Sequence, residues 1–250
     1  MLLTIDIGNT NIKTSLFDKN EQVDFIVHSD PGQIIDYINK TSFTSAAICS
    51  VSSLKKNAVI EKLETRNIPI FNADISKTFN LKINYETPQT LGMDRVCSAV
   101  GALSIAENRL LIKENQYLIT IDFGTATTIN IVSPEKEFEG GLIAPGVHTM
   151  FRSLYEETAH LPMVRNSYQG LVGKSTDASI VSGVVNSTLG MINETVIYLK
   201  SQSKLHPLIF ITGGNASLIS PFLSGEVIFE EALVLKGLKF IYDLNRTETI

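Results

Sequence analysis

Two short stretches each place an acid, a glycine and small polar side chains directly after an apolar run. They are "TIDIGNTNIK" at residues 4–13 and "TIDFGTATT" at residues 120–128. Glycine lets a phosphate approach backbone N–H groups, and Asn, Thr and Lys side chains add further donors. An acid at a strand end can hold a cation or its hydration water. Each stretch alone is typical of a β-hairpin, but the pair in register favours a clamp for a polyphosphate.

The sequence lacks the motifs of several other nucleotide-binding, metal-binding and hydrolase sites. Neither stretch has the Walker A spacing, and neither has the third glycine and following helix of the dinucleotide fingerprint. The histidines are not spaced as metal ligands, and no nucleophile elbow supports a serine hydrolase. These histidines are His28, His148, His160 and His206.

A third stretch, "YETPQTLGMDRV" at residues 85–96, places an acidic side chain next to an arginine at a predicted helix start. The N-terminal end of a helix favours anions, and Arg95 can hold a carboxylate through two parallel hydrogen bonds. Asp94 could accept the proton of an attacking hydroxyl, as the catalytic carboxylate of a kinase does. On spacing alone, a surface Asp–Arg pair beside a helix cap is the simpler interpretation.

Three further stretches contain glycines beside predicted turns or helix starts. "ITGGNA" at residues 211–216 fits either a tight strand-to-helix turn or an adenosine contact. "EGGLIAPG" at residues 139–146 predicts a strand and a sharp turn. "GKSTDASIVSG" at residues 173–183 predicts a helix start with Ser175 or Thr176 as its cap.

The elements around these motifs occur twice along the chain. Each half begins with three predicted strands in a meander, headed by one of the two Asp-x-Gly stretches, and continues with alternating helices and strands. The spacing predicts single helices over 87–108, 147–160 and 179–200. The repeat favours an α/β protein of two duplicated halves, with strand-end loops that face one cleft.

Composition narrows the class of protein. Of the 250 residues, 44% are hydrophobic and 19% are charged, which is a globular mixture. The net charge of -5 argues against nucleic acid as the main partner. Cys49 and Cys97 are expected to be buried thiols in a reducing cytoplasm. Neither a signal peptide nor an apolar run of about 20 residues is evident, so we expect a soluble cytoplasmic protein with no membrane partner.

The complete motif set resembles that of the type III pantothenate kinase family, within the superfamily of actin-like ATPases and acetate and sugar kinases. The resemblance rests on the order and spacing of "DIGNTNIK", "YETPQTLGMDR", "DFGTATT", "GGLIAPG", "LP" at residues 161–162, "STDASIVSG" and "TGG". It implies two duplicated ribonuclease-H-like (actin-like ATPase) domains around a nucleotide cleft, over residues 1–115 and 116–250. It also implies a homodimer that transfers phosphate from ATP to pantothenate, with Mg2+ and a monovalent cation, K+ or NH4+.

The resemblance assigns roles to individual residues. Asp94 would be the general base, Asp122 would hold the monovalent cation, and Thr125 would contact ATP. The ATP phosphates would be lined by Asp6, Ile7, Gly8, Asn9, Thr10, Asn11, Ile12 and Lys13. The pantothenate site would contain Tyr85, Gly92, Met93, Asp94, Arg95 and Thr176.

One position departs from the family pattern, because Asn130 stands where an acid is expected after "GTATT". The loss of that charge could change cation preference or affinity. Two alternatives to a pantothenate kinase remain open. Another small-molecule kinase would lack the set at residues 85–95 and Thr176. A non-catalytic transcription accessory relative would have lost the base or the phosphate loops, yet Asp94 and both Asp-x-Gly stretches are present.

Overall fold

The computed structural model describes residues 1–164 and 167–246. The strands are β1 (Leu2–Ile7), β2 (Ile12–Asp18), β3 (Glu21–Gln22), β4 (Ile26–His28), β5 (Ser45–Ser50), β6 (Ile70–Asn72), β7 (Lys82–Ile83), β8 (Leu118–Phe123), β9 (Ala126–Val132), β10 (Glu137–Pro145), β11 (Leu208–Thr212) and β12 (Val227–Phe229). The helices are α1 (Pro31–Lys40), α2 (Ser53–Thr65), α3 (Met93–Asn108), α4 (Val147–Glu156), α5 (Thr176–Ser203), α6 (Ala216–Ile219) and α7 (Leu233–Arg246).

Two mixed sheets repeat one strand order. The first runs β3-β2-β1-β5-β6, with β4 also paired to β2, and the second contains β12-β11-β8-β9-β10. In each sheet the leading strand, β1 or β8, pairs antiparallel with the next strand and parallel with β5 or β11. This order is that of a ribonuclease-H-like domain, so the predicted α/β fold with a duplicated domain is confirmed.

The chain divides into two compact units. Among the described residues, the first contains 1–111, 136–139 and 232–246, and the second contains 112–135, 140–164 and 167–231. The C-terminal helix α7 therefore packs within the first unit, although the predicted boundary at residues 115 and 116 assigns it to the second domain. Buried Leu235 and Leu238 on α7 account for this packing, since they would otherwise face water.

Each unit has its own apolar core beneath its sheet. All six residues of β1 are buried, and Leu3, Ile5 and Ile7 pack against α1 and α2 in the first core. Phe123 and Ile121 of β8 belong to the second core, which α5 covers. Because the cores fix β1 and β8, the loops that follow these strands are held at a defined position.

The helix predicted over 87–108 is wrong at its N-terminal end. Residues Pro88–Thr90 form a short 3-10 turn, and Leu91 and Gly92 are extended before α3 begins at Met93. Asp94 therefore lies in the first turn of α3, with Gly92 as the N-cap residue. Of the two caps predicted for α5, the structure has Ser175, whose hydroxyl accepts a hydrogen bond from Ala178 N.

Helix α5 is long and apolar enough to cross a membrane, judged by length and composition alone. It has 28 residues, and 56% of its most apolar 18-residue segment is buried inside the protein. It is the one such helix in residues 1–164 and 167–246. Its buried residues, among them Val181 and Ile192, belong to the second core, which is the usual position of a core helix in a soluble protein.

Helices α3 and α7 cross closely through a glycine on each. A Cβ atom on Gly237 would lie 1.8 Å from Cys97 O, and one on Gly101 would lie 2.6 Å from Leu233 O. Gly237→Ala is therefore expected to lower the free energy of unfolding by roughly 1–3 kcal/mol, because the backbones must separate. Urea unfolding followed by circular dichroism measures this loss.

The matched control for Gly237→Ala is Gly190→Ala in α5, where a new Cβ meets nothing within 4 Å. It is expected to leave stability unchanged or to raise it slightly, because Ala favours a helix over Gly. Equal free energies of unfolding for the two variants would show that the close approach of α3 and α7 does not contribute to stability.

Candidate active site

The first Asp-x-Gly stretch forms the hairpin loop between β1 and β2. Asp6 on β1 lies directly opposite Lys13 on β2 in the antiparallel register. Gly8 N donates to Asn11 O at 3.1 Å, which closes the turn between the strands. Asp6 is only 8% exposed, whereas Asn9 is exposed at the tip. The hairpin thus has a buried carboxylate at its base and exposed residues at its tip.

A lysine from α2 contacts the same loop. Lys55 Nζ donates to the carbonyl oxygens of Gly8, Asn9 and Thr10 at 3.4, 2.5 and 3.1 Å. The loop is therefore fixed both by its own turn and by a cation on one side.

Asp94 is held close to the N-terminal end of α3. Its Oδ1 accepts a hydrogen bond from Arg95 N at 2.9 Å. Burial raises the pKa of the Asp94 carboxyl above its usual value, although the nearby positive charges of Arg95 and Lys13 oppose the shift. A Cβ atom on Gly92 would lie 2.5 Å from Asp94 Oδ1, so this glycine leaves the room that the carboxylate occupies.

Cys49 connects the surroundings of Asp6 and Asp94. It lies opposite Asp6 on β5, and its thiol is 3.5 Å from Asp6 Oδ1. Its hydrogen bond with Cys97, its burial and the charges of Asp6 and Asp94 raise the pKa of the Cys49 thiol. Both cysteines are buried and free, as predicted. The Cys49 thiol is thus within the electrostatic influence of both carboxylates, those of β1 and of α3.

Arg95 lies beside two aromatic rings. Its guanidinium carbon is 5.6 Å from the ring centre of Phe138 and 6.0 Å from that of Tyr85. The two rings meet edge to face, 6.2 Å apart. Arg95 is only 6% exposed. A guanidinium can rest on an aromatic ring and still present its in-plane N–H donors to a carboxylate.

The second Asp-x-Gly stretch forms the equivalent hairpin in the second unit, with Asp122 opposite Thr128. The carbonyl of Thr125 accepts hydrogen bonds from Gly146 N at 2.9 Å and Thr149 Oγ1 at 2.7 Å. Asn215 Nδ2 donates to Gly124 O at 3.2 Å. The "EGGLIAPG" and "ITGGNA" stretches therefore both support this loop.

Gly213 makes room for Asp122. Its φ of +95° is in the left-handed region, and a Cβ atom there would lie 2.4 Å from Asp122 Oδ1. This supports the interpretation of "ITGGNA" as a tight strand-to-helix turn. Thr176, the remaining predicted contact in this unit, is exposed at the start of α5.

Asn130 is fully buried on β9, opposite Thr120 of β8. Its Nδ2 donates to Thr120 Oγ1 at 3.0 Å. An amide suits this position because it can donate to a buried hydroxyl without bringing a charge into the sheet.

Each unit, taken by itself, has one carboxylate that could contact a hard cation. Asp6 and Asp122 each offer carboxylate oxygens near the end of the leading strand of a unit. Among residues 1–164 and 167–246, no three His, Cys, Asp or Glu side chains group as a complete metal cage. Mg2+ typically needs only one or two carboxylates when phosphates and waters complete its shell. A single carboxylate in a unit therefore suffices for a cation whose shell a bound phosphate completes.

Comparison with known proteins decides among the remaining kinase families. The family model for type III pantothenate kinase matches residues 2–197. The chain belongs to the type III pantothenate kinase family. A type III pantothenate kinase of Sulfurihydrogenibium sp. is 32% identical over 96% of this chain and 99% of its own length. One from Geobacter sulfurreducens is 32% identical over 98% of this chain and 100% of its own length.

A solved structure shares the fold. A Campylobacter jejuni protein described as a Baf family transcriptional activator aligns with a TM-score of 0.62 at 21% identity, over 98% of this chain and 99% of its own. At this identity the likeness concerns the fold alone.

The residues predicted from the family pattern fall into two groups in the structure. The first unit holds the hairpin of Asp6 and Lys13 together with the Asp94–Arg95 pair and Tyr85, and the second unit holds Asp122, Thr125 and Thr176. The individual roles of these residues remain predictions.

Three contacts were not predicted from the sequence. Phe138 beside Arg95, Lys55 on the first hairpin and Cys49 beside Asp6 all come from elements distant in sequence. Only Cys49 carried a partial signal, because the sequence predicts a buried thiol there; its pairing with Asp6 comes from the structure.

Proposed function

We propose that the chain transfers the γ-phosphate of ATP to the terminal hydroxyl of pantothenate, giving ADP and 4'-phosphopantothenate, in the first step of coenzyme A biosynthesis. The observation that carries this proposal is the family match over residues 2–197, together with the Asp94–Arg95 pair at the start of α3. The kinase class and the small-molecule acceptor follow from the family.

In this proposal the hairpin at residues 6–13 binds the ATP phosphates. Its backbone amides and the Lys13 ammonium supply donors, and Ile7 and Ile12 anchor the strand ends in the core. Thr125, exposed on the second hairpin, supplies a hydroxyl to ATP. Amides held in a fixed loop stabilise phosphate charge at little reorganisation cost.

Asp94 is the proposed general base. The proton of the pantothenate hydroxyl moves to an Asp94 oxygen while the hydroxyl oxygen bonds to the γ-phosphorus and the bond to ADP breaks. The raised pKa of the buried carboxyl makes it a better proton acceptor than a solvated aspartate, yet the positive charges of Arg95 and Lys13 limit the shift.

Arg95 is proposed to bind the pantothenate carboxylate. Its guanidinium is buried against Phe138 and Tyr85, so its donors have a fixed orientation. Met93 at the start of α3 and Thr176 at the start of α5 complete the proposed substrate contacts. Fixed positioning of the acceptor supplies much of the rate in phosphoryl transfer.

Two cations are part of the proposal. Mg2+ would be held by Asp6 with the phosphates, and a monovalent cation, K+ or NH4+, by Asp122. A bound cation offsets negative charge on the transferring phosphoryl group. The amide of Asn130 provides no charge two residues beyond Thr128, and we expect weaker monovalent-cation affinity than a carboxylate there would give.

A homodimer and a cytoplasmic location complete the proposal. Ile197 and Tyr198 on α5 are 59% and 60% exposed, which supports an association surface on that helix. The free thiols of Cys49 and Cys97 are typical of a reducing compartment. Light scattering on the purified protein measures the oligomeric state.

A coupled assay of ADP release tests the proposed function. The purified protein is supplied with ATP, Mg2+ and pantothenate in parallel buffers that contain K+, NH4+ or Na+. We expect pantothenate-dependent turnover, and stimulation by K+ or NH4+ relative to Na+. The absence of pantothenate-dependent turnover in all three buffers would contradict the proposal.

Gly92→Ala is expected to lower kcat roughly 10- to 100-fold, because a displacement of about 1 Å at a reacting group can cost that much. The new Cβ would lie 2.5 Å from Asp94 Oδ1, a side-chain atom that can rotate away. The fold should therefore persist while the base moves, and steady-state kinetics with a thermal melt distinguish these effects. A normal kcat in a folded variant would show that Asp94 tolerates the displacement.

A further inference from the structure

A lysine outside every recognised motif contacts the first hairpin. Lys55 is near the start of α2, and the loop carbonyls that it contacts belong to residues 45 to 47 positions earlier in the chain. An ammonium has three N–H donors, and here three consecutive carbonyls of Gly8, Asn9 and Thr10 surround it. A single side chain therefore fixes the orientation of three successive peptide groups.

Peptide geometry gives this contact a consequence. The peptide bonds of the described residues are trans, and in a trans peptide the C=O and N–H groups point in opposite directions. When the carbonyls of Gly8, Asn9 and Thr10 turn towards Lys55, the N–H groups of Asn9, Thr10 and Asn11 face the opposite side of the loop. Successive N–H groups that face one side form an anion-binding concavity.

We propose that Lys55 is a positioning residue for the triphosphate, which keeps the loop amides directed at the phosphates without touching them. This inference rests on the proposed function for the identity of the ligand. The positive charge behind the loop also polarises the three peptide groups, and this strengthens their N–H donors towards a phosphate oxygen.

An equivalent contact in the second unit supports this role of Lys55. Asn215 follows β11 as Lys55 follows β5, and its amide donates to Gly124 O in the corresponding hairpin. Each unit therefore uses the segment after the same strand to hold the loop after its leading strand. The first unit uses a lysine ammonium for this contact, and the second uses the amide of Asn215.

The test compares Lys55→Met with Lys56→Met, whose lysine is the next residue on α2. Binding of a non-hydrolysable ATP analogue and of inorganic tripolyphosphate is measured by calorimetry without pantothenate. Loss of a hydrogen-bonded charge predicts affinities about 10- to 100-fold weaker for Lys55→Met with both ligands. Lys56→Met should bind as the wild type does. Lys55→Arg, which keeps the charge and donors, should recover most of the affinity.

Several results would overturn the inference. One is a Lys55→Met variant that binds both ligands as tightly as the wild type does but unfolds at a lower temperature. The contact would then serve only stability. If Lys55→Met does not fold, Lys55→Gln takes its place, and wild-type affinity in that variant has the same meaning. A wild-type protein that binds neither ligand also overturns it. A wild type that binds nucleotide without phosphorylating pantothenate contradicts the proposed acceptor and leaves the binding comparison valid.

Discussion

Asp94→Asn is expected to lower kcat by roughly 10²–10⁴, the range of general-base contributions, with ATP affinity retained. The amide keeps the oxygen that accepts a hydrogen bond from Arg95 N, so the helix start should be preserved. It cannot accept the hydroxyl proton, and the reaction must then release that proton to water. Steady-state kinetics and nucleotide binding measure the two effects separately.

The pH dependence of kcat/KM provides a second test of the role of Asp94. Because burial raises the pKa of Asp94, the wild-type kcat/KM should fall as the pH drops through that raised pKa, and Asp94→Asn should lack this limb. The folded state binds a proton at Asp94 more tightly than the unfolded chain does, so this group's contribution to stability is greatest at low pH. It is lost as the pH rises through the folded pKa. At neutral pH the Asn variant should therefore unfold no more readily than the wild type.

The control for this variant is Asp36→Asn, which removes one carboxylate from the exposed face of α1. It should leave kcat and its pH profile unchanged. Near-normal turnover in Asp94→Asn would remove Asp94 from the role of base. If the inactive variant also unfolds at a lower urea concentration than the wild type does, Asp94 has a structural role.

Arg95→Ala is expected to raise the KM for pantothenate about 10- to 100-fold, as the loss of a charge-assisted hydrogen-bond pair predicts. The KM for ATP should change little, because Arg95 is assigned to the acceptor. Arg95→Met keeps an apolar chain beside Phe138 and Tyr85, so it tests the charge with less loss of packing. Arg95→Lys keeps the charge without the planar donors, and it should give an intermediate KM.

A substrate analogue sharpens this prediction. The alcohol analogue of pantothenate, with a hydroxymethyl group in place of the carboxylate, should be a poor substrate for the wild type. The wild type should discriminate strongly between acid and alcohol, and Arg95→Met should discriminate weakly. Equal discrimination by both enzymes, or an effect confined to the KM for ATP, would show that Arg95 does not bind the carboxylate.

Local chemistry was predictable from the sequence because hairpins and helix starts depend on adjacent residues. The two Asp-x-Gly hairpins, the duplicated strand order and the burial of both cysteines agree with the sequence analysis. The start of α3 was misplaced because Pro88 permits a 3-10 turn that a helical apolar pattern does not distinguish. That difference matters, since it places Asp94 in the first turn of α3.

The remaining features depend on contacts between distant segments. The packing of α7 against α3 requires Gly101 and Gly237 to meet, and neither glycine signals the other in the sequence. Phe138 lies 43 positions after Arg95 along the chain, and only the strand pairing of β7 with β10 brings it near. Lys55 likewise resembles any solvated lysine on a helix until its loop contacts are known.

Mass spectrometry of the reaction products tests the central claim most directly. The purified wild type is incubated with ATP, Mg2+, K+ or NH4+, and pantothenate, and the acceptor and nucleotide are quantified together. The predicted result is pantothenate that carries one phosphoryl group on its terminal hydroxyl, formed in equal amount with ADP and strongly reduced in Asp94→Asn. ATP hydrolysis without phosphorylated pantothenate, or no product from protein that binds nucleotide, would contradict the account.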